Sequence, residues 1–157
     1  AGFEVLEQDG NAFDAAIAVS AALAVVEPSG SGLGGGGFWL LHRASDGFQT
    51  MIDGREVAPS AAHKNMYINQ HGEVDKSLSL DGALAAGIPG VPAALDHLNN
   101  NYGHLTLKQT LAPAIRYATQ GFKVTEHFQR LVGFRLKVLN ASPEAKAIFL
   151  RNSQISR

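Results

Sequence analysis

Three observations predict an α+β fold for this sequence. An alanine-rich run over residues 12–26 has the composition of a buried helix. Two short apolar runs, 38–42 and 48–53, flank the turn signal Ser45-Asp46-Gly47 and therefore predict a β-hairpin. The second half of the chain carries apolar residues at helical spacing. Helices and a hairpin in separate stretches, without alternating βα units, are typical of an α+β domain.

The first half should place two helices before the hairpin. Residues 1–8 predict a short helix, and Gly10 is the residue expected to end it in a left-handed conformation. Asn11 is the predicted N-cap of the helix over 12–26, with Asp14 favourably placed at the positive end of that helix. Because this second helix is apolar all round, we expect it to be buried on every side.

The second half is expected to be mainly helical after a polar, irregular surface stretch over residues 64–79. Thr106 and Gln109 have the spacing of a capping box, and Pro113 should bend the helix that follows. We expect no further element after Phe149. The predicted helices run from Pro92 to about Asn101, from Thr106 to Gly121, from Thr125 through Leu139, and from Ser142 to Phe149.

The composition is that of a globular domain. The 157 residues are 45% hydrophobic and 17% charged, which is sufficient for a core and excludes a disordered chain. The absence of cysteine excludes a disulfide scaffold, a thiolate metal site and a cysteine nucleophile. The longest uncharged apolar run, 15–26, is too short to cross a bilayer, so we expect no membrane span.

The charges are distributed unevenly along the chain. Residues 1–103 carry a net charge of −8, and residues 104–157 carry +7. A nucleic-acid-binding tail and a set of helices with charged outer faces both explain this asymmetry. The basic residues are spread at helical intervals instead of clustering, which favours helices and no nucleic-acid partner. The six histidines include no pair at metal-ligand spacing, so we expect no metal and no cofactor.

The least usual stretch is Gly30–Gly37, where six of the eight residues are glycine. Such density costs backbone entropy, so bare backbone must be needed for a ligand, a close chain crossing or left-handed turns. The spacing matches a dinucleotide fingerprint, and Asp53 lies where a ribose-binding acid is expected. That fingerprint needs a strand before the glycines and a helix after them, whereas here a helix precedes and Phe38 begins a strand. The element order therefore disfavours a nucleotide-binding module that uses the Gly30–Gly37 loop.

The most distinctive polar group follows the predicted hairpin, as Asp53-Gly54-Arg55-Glu56. An arginine at the end of an apolar strand, flanked by two acids, can be held in one position. Its guanidinium then offers a fork that suits a carboxylate. A purely structural ion pair at a strand end explains the same residues equally well, and the residues alone leave both interpretations open.

A series of motifs runs across most of the chain in a recognisable order. The motifs are Gly10-Asn11-Ala12-Phe13-Asp14-Ala15-Ala16, Val26-Glu27-Pro28, Gly34-Gly35-Gly36-Gly37-Phe38, Asp53-Gly54-Arg55-Glu56-Val57-Ala58-Pro59, Gly87-Ile88-Pro89-Gly90-Val91-Pro92, Tyr102-Gly103, Leu111-Ala112-Pro113-Ala114-Ile115-Arg116 and Gly121-Phe122. In order and spacing they resemble the N-terminal part of the large subunit of the γ-glutamyltranspeptidases, also called glutathione hydrolases.

The resemblance implies an N-terminal-nucleophile hydrolase fold, an αββα sandwich of which residues 1–157 are a single partial domain. It also implies a precursor that cuts itself into a large and a small subunit, and a substrate that is glutathione or another γ-glutamyl compound. The family's nucleophile is the N-terminal threonine of the small subunit. The five threonines of this sequence lie in other contexts. We therefore expect no catalytic residue in this chain and no activity from the chain alone.

In the family that the chain resembles, the arginine of an Asp-Gly-Arg-Glu motif binds the α-carboxylate of the substrate. Arg55 matches this arginine, and Asp53 and Glu56 are expected to orient it. The resemblance also implies a periplasmic or extracellular location and the small subunit as a partner. A cephalosporin or glutaryl acylase of the same fold remains the nearest alternative, because its substrate also ends in a carboxylate. A non-enzymatic interaction domain is a third alternative, after the acylase and the nucleotide-binding module.

Overall fold

A computed structural model describes residues 1–155, so the last two residues of the expected domain lie outside the described part. The described residues form seven α-helices, two short 3₁₀ helices and two antiparallel two-stranded sheets. The helices are α1 (Gly2–Leu6), α2 (Ala12–Val26), α3 (Val91–Tyr102), α4 (Leu107–Gln120), α5 (Glu126–Gly133), α6 (Leu136–Ala141) and α7 (Pro143–Phe149). The strands are β1 (Phe38–Arg43), β2 (Phe48–Asp53), β3 (Leu150–Arg151) and β4 (Gln154–Ile155), and the 3₁₀ helices are Lys76–Ser79 and Ala83–Ala85.

Helix α2 is the centre of the fold, and its bounds are those that the sequence predicts. Asn11 Oδ1 accepts hydrogen bonds from the nitrogens of Phe13 and Asp14, at 2.8 and 3.0 Å. Asp14 Oδ2 accepts from Asn11 N at 2.9 Å, which completes a capping box. The helix packs against α1, α3 and α4. Among the residues described, no helix has the length and apolar character needed to cross a membrane.

Asp14 also fastens this helix start to the connection between α3 and α4. Its fully buried carboxylate accepts hydrogen bonds from His104 N at 3.0 Å and Leu105 N at 3.2 Å. Asn11 Nδ2 donates to Tyr102 O at 2.7 Å. Two side chains of one motif therefore join segments about ninety residues apart in the sequence.

The β1–β2 hairpin covers one side of the helices. Trp39 and Leu41 point to the inner face, where Leu41 is buried in the core and Trp39 packs against it. Leu40 and Met51, paired across the strands, point away and remain 84% and 58% exposed. This alternation is the period-two pattern of a strand pair with one buried face. The buried core comprises Ile17, Ala21, Ala22, Leu41, Val91, Leu95, Leu98 and Ala114.

The expectation that α2 is buried on every side is wrong. Ile17, Ala18 and Ala21 are buried, but Val19 and Leu23 retain 41% and 39% of their surface exposed. The reason is that the three neighbouring helices and the hairpin cover only part of the helix circumference. Within the described residues, the remaining apolar stripe has no cover.

The prediction that Gly10 ends the first helix in a left-handed conformation is wrong. Helix α1 already ends at Leu6, and Asp9 takes the positive φ of 62°. Gly10 is needed for space instead, because a Cβ there would lie 2.7 Å from the carbonyl oxygen of Val5. The chain turns back on the helix end too closely for a side chain.

The C-terminal third differs from its prediction in two places. The helix expected from Thr125 through Leu139 is two helices, α5 and α6, because Gly133 is a poor helix former at the point where they separate. After Phe149 the chain forms the small β3–β4 hairpin instead of no element. Asn152 and Ser153 both have positive φ, 52° and 62°, as the centre of a tight hairpin turn requires.

Charges of the basic second half meet acids of the first half. Arg116 donates from its two terminal nitrogens to both carboxylate oxygens of Glu4, at 2.8 and 2.7 Å. This hydrogen bonding lowers the pKa of Glu4 below its usual value. Arg135 forms an ion pair with Asp81. Ion pairs between the acidic first half and the basic second half thus join α1 to α4, and join the loop that contains Asp81 to the C-terminal helices.

Candidate functional site

The glycine run forms an irregular loop between α2 and β1. A helix precedes it and Phe38 begins a strand, which is the reverse of the order around a dinucleotide-binding loop. The element order therefore rules out the nucleotide-binding alternative for Gly30–Gly37. Among the described residues, no glycine of this run has a positive φ, so left-handed turns do not explain the composition either. Of the three expected reasons for bare backbone, a close chain crossing is the one that the structure shows.

The crossing lies where the glycine loop passes the residues after β2. A Cβ at Gly36 would lie 2.5 Å from the nitrogen of Glu56 and 2.8 Å from Cα of Arg55, and would overlap the Glu56 carboxylate. Real Cβ atoms do not approach backbone atoms so closely. Gly36 is therefore in direct contact with the backbone of the candidate Arg-Glu pair.

A second crossing brings Gly90 against the same segment. A Cβ at Gly90 would overlap the Gly54 carbonyl, 2.6 Å from its carbon, and would lie 2.8 Å from the Arg55 carbonyl oxygen. A Cβ at Gly54 would lie 2.7 Å from the indole of Trp39 and 2.8 Å from Ala94 Cβ. Gly54, the residue before Arg55, is therefore enclosed by the Trp39 indole, by Ala94 of α3 and by Gly90.

Backbone hydrogen bonds hold these segments in register. Gly37 and Gly54 exchange two of them, at 3.2 and 3.0 Å, and so extend the hairpin by one pair. Val57 and Ile88 exchange two more, at 3.1 and 2.9 Å. The carbonyl of Gly35 accepts from the nitrogens of Gly90 and Val91 at the start of α3, at 3.1 and 3.2 Å. Three chain segments are consequently tied together around residues 54–57.

Arg55 projects from this junction into solvent. Its side chain is 64% exposed, and its Nε lies 3.5 Å from Glu56 Oε1, a long ion pair. Among residues 1–155, no acceptor lies within hydrogen-bonding distance of its two terminal nitrogens. The backbone is thus held tightly while one edge of the guanidinium stays open.

The two flanking acids contact Arg55 in different ways. Asp53 Oδ1 accepts a hydrogen bond from the backbone nitrogen of Arg55 at 2.9 Å, an Asx turn that fixes the chain and leaves the guanidinium alone. Glu56 contacts the guanidinium itself through Nε. The structure therefore brings all three predicted site residues together, with Asp53 acting on the backbone and Glu56 on the side chain.

An open groove runs from Arg55 along the loop that follows it. Besides Arg55, its walls include Ala58, Met66, Tyr67 and Leu84. The Tyr67 hydroxyl donates to the Leu84 carbonyl at 3.3 Å and joins the two loops that form the wall. The groove is partly polar and partly apolar and has room for an extended small molecule beside the guanidinium.

Sequence reasoning did not connect the Gly87-Ile88-Pro89-Gly90 segment to Arg55. The only signal was the density of glycine and proline in this segment, which predicts a turn and no partner. Trp39 was likewise read only as a strand residue. Its indole carbons lie 3.0 and 2.7 Å from the positions that a Cβ would take at Gly37 and Gly54. These contacts arise from tertiary packing.

Comparison with known proteins assigns this arrangement to one family. A family model described as Gamma-glutamyltranspeptidase matches residues 1–157. The chain is 47% identical over 121 residues to the glutathione hydrolase proenzyme of Pseudomonas sp. (strain A14), covering 77% of this chain and 21% of that protein. It is 38% identical over 154 residues to the glutathione hydrolase proenzyme of Escherichia coli (strain K12), covering 98% and 26%. The chain spans about a fifth to a quarter of the length of these relatives.

Solved structures agree with the sequence relatives. The γ-glutamyltranspeptidase of Helicobacter pylori superposes with a TM-score of 0.92 at 37% identity, covering 99% of this chain and 45% of that one. A cephalosporin acylase from Bacillus halodurans superposes with a TM-score of 0.70 at 30% identity, covering 89% of this chain and 25% of that one. These matches confirm the expected N-terminal-nucleophile hydrolase-type fold, of which the described helices and hairpin are a part. By family model, sequence and structure, the chain belongs to the γ-glutamyltranspeptidase family.

Proposed function

We propose that the intact protein cleaves the γ-glutamyl amide bond of glutathione or a related compound and passes the γ-glutamyl group to water or an amine. The proposal is supported by relatives named glutathione hydrolase and γ-glutamyltranspeptidase. In it, this chain supplies the group that binds the α-carboxylate of the γ-glutamyl donor. That group is Arg55.

One observation carries the role of Arg55: its hydrogen-bonding capacity is largely unused although its backbone is fixed. Arg43, Arg116 and Arg135 each direct a terminal nitrogen at a carboxylate of this chain. Arg55 instead offers only Nε to Glu56, at 3.5 Å. A guanidinium with two free terminal nitrogens presents two parallel donors to a carboxylate from outside the described residues.

The structure also supports a division of labour among the flanking residues. Asp53 holds the backbone amide of Arg55, so the main chain does not have to order when substrate binds. Glu56 contacts Nε and limits rotation of the guanidinium, which leaves the terminal edge for the substrate. Groups held before binding lose less entropy on binding, so both acids contribute to affinity without touching the donor.

The nucleophile in this proposal comes from a second subunit cut from the same precursor. Its N-terminal threonine hydroxyl attacks the γ-carbonyl, the amide C–N bond breaks, and the amine leaves with a proton. Water or an acceptor amine then releases the γ-glutamyl group from the resulting ester. Relatives named proenzymes support a precursor that is processed. We further infer a periplasmic or extracellular location, which fractionation of the activity in producing cells would test.

The decisive experiment uses the full-length precursor that contains this segment. The purified, processed protein should release the aniline from a γ-glutamyl anilide and show two chains on a denaturing gel. A processed protein that leaves γ-glutamyl anilide and glutathione intact would contradict the proposal.

A cephalosporin or glutaryl acylase is the second candidate, supported by the match to the Bacillus halodurans acylase. A glutaryl amide keeps the terminal carboxylate of a γ-glutamyl amide but lacks its α-amino group. Comparing the two amides as substrates of the same preparation therefore separates the candidates. Faster turnover of the glutaryl amide would favour the acylase.

A further inference from the structure

The glycines near Arg55 differ in how much space surrounds them. A Cβ at Gly36 or Gly90 would collide with backbone atoms of residues 54–56. A Cβ at Gly87 would be crowded but not excluded, at 3.2 Å from Glu56 Cγ and from the Val57 carbonyl oxygen. A Cβ at Gly34, in the same glycine run as Gly36, would meet no atom of residues 1–155 within 4 Å. None of these four glycines has a positive φ, so space alone distinguishes them.

We propose that Gly36, Gly87 and Gly90 are positioning residues for Arg55. Their missing side chains set where the backbone of residues 54–57 lies, and thereby where the guanidinium meets the donor carboxylate. The inference rests on the proposed role of Arg55 and extends it to residues that touch no substrate.

Two of these glycines contact the backbone of Arg55 directly, and hydrogen bonds hold the segment on either side of it. Gly36 lies against Arg55 Cα and Gly90 against the Arg55 carbonyl, so a methyl at either position pushes the chain. The hydrogen bonds of Gly54 to Gly37 and of Val57 to Ile88 hold both ends of the segment. The displacement therefore appears at residue 55 itself, and a shift of about 1 Å in a binding group is sufficient to cost about 100-fold in rate.

The prediction is a graded loss of recognition of the carboxylate. It is read as selectivity, the ratio of kcat/KM for a γ-glutamyl anilide to kcat/KM for the 4-aminobutyryl anilide that lacks the α-carboxylate. In the processed full-length enzyme, Gly36→Ala should lower this ratio by about tenfold or more, mainly through KM for the γ-glutamyl donor. Gly87→Ala should lower it less, because the crowding there is milder.

Gly34→Ala is the matched control, since it adds the same methyl group to the same loop without a contact to the part of the chain that the structure describes. Its selectivity should stay within about twofold of the wild type, as for an unconstrained surface substitution. Gly133→Ala, whose Cβ would have one neighbour at 4.0 Å, is a control away from the site. A general loss of stability lowers kcat/KM for both anilides and leaves the ratio unchanged, so the ratio reports position and not folding.

The outcomes separate this inference from the proposed function. If Arg55→Ala abolishes selectivity while Gly36→Ala and Gly87→Ala retain it, the positioning role is wrong and the clamp stands. If Arg55→Ala itself retains selectivity, the clamp is wrong. If Gly34→Ala loses as much selectivity as Gly36→Ala, the steric argument is wrong. Should Gly36→Ala or Gly90→Ala fail to fold or mature, the milder Gly87→Ala decides the question.

Discussion

At the scale of single residues, Arg55 combines a fixed backbone with an open side chain. The amide of Arg55 is bound by Asp53, and the preceding Gly54 is enclosed by packing, yet the guanidinium is mostly exposed. A structural arginine has the opposite character, as Arg116 shows with its two-bond contact to Glu4. The sequence alone left two interpretations of Arg55 open, a carboxylate-binding group and a structural ion pair. The contrast with Arg116 favours the first.

Glu56 should matter less than the arginine that it contacts. The pair is long, at 3.5 Å, and both side chains are well exposed, so the ion pair is screened by water. We expect Glu56→Gln in the intact enzyme to raise KM for a γ-glutamyl donor by about fivefold at most, since exposed pairs contribute about 0.2–1 kcal/mol. Steady-state kinetics with a γ-glutamyl anilide measures this. An effect as large as that of Arg55→Ala would mean that Glu56 itself binds the donor.

At the scale of elements, two capping boxes fix the starts of α2 and α4, which pack against each other. The sequence predicted the Thr106–Gln109 box and the Asn11 cap correctly, because caps are local and depend on spacing. It did not predict that Asp14 also accepts bonds from His104 and Leu105, since that contact depends on the tertiary fold.

Asp14→Ala should therefore destabilise the protein far more than a capping change elsewhere. It leaves three partly buried backbone N–H groups, those of Asn11, His104 and Leu105, without their acceptor, and each loss costs about 1 kcal/mol, the low end of the range for a buried group. We expect a loss of roughly 3 kcal/mol or more, against about 1 kcal/mol for Thr106→Ala, which removes only a cap. Urea unfolding of the intact protein, followed by circular dichroism, compares the two variants. Equal losses would contradict the additional role of Asp14.

The Glu4–Arg116 contact should make the docking of α1 on α4 depend on pH. Hydrogen bonding from Arg116 lowers the pKa of Glu4 below its ordinary value of 4.5. The stabilisation is therefore complete above the ordinary value and is lost as the pH falls through the lowered one. We expect Glu4→Gln to lower Tm near neutral pH and to have no effect in strong acid, where wild-type Glu4 is protonated. A difference in Tm that is independent of pH would contradict this account.

The elements also differ in how clearly the sequence predicts them. The β1–β2 hairpin was predicted because apolar runs and a turn signal mark it in the sequence. The β3–β4 hairpin has two-residue strands, and its turn uses Asn152 and Ser153 without a glycine, so its signal is weak. The break between α5 and α6 follows Gly133, a residue that many helices tolerate. Strong local signals mark the first hairpin, whereas the local signals for the second hairpin and for the helix break are weak.

At the scale of the whole molecule, the described residues are part of a larger structure. Phe38, Leu40 and Met51 remain more than half exposed on the outer face of a two-stranded sheet. Such a hairpin is marginal without further strands or a second layer. The family resemblance predicted the sandwich to which it belongs, whereas composition and periodicity alone predicted only the α+β class.

The isolated 157 residues should consequently have no hydrolase or transferase activity. In the proposed function the nucleophile lies in the second subunit, and the contribution proposed for this chain is the carboxylate clamp. We expect no release of aniline from a γ-glutamyl anilide by the purified segment, with the processed full-length enzyme as the positive control. Robust turnover by the segment would show that a nucleophile lies among these residues.

The most direct test of the central claim is the effect of Arg55→Ala on donor binding in the processed full-length enzyme. In the proposed complex the bound donor and the second subunit cover Arg55, and truncating one member of such a buried charge pair costs roughly 2–5 kcal/mol, so we expect KM for a γ-glutamyl anilide to rise by about 30-fold or more. KM for the anilide without the α-carboxylate should stay nearly constant. An unchanged KM for the γ-glutamyl donor would contradict the assignment of Arg55 as the carboxylate clamp.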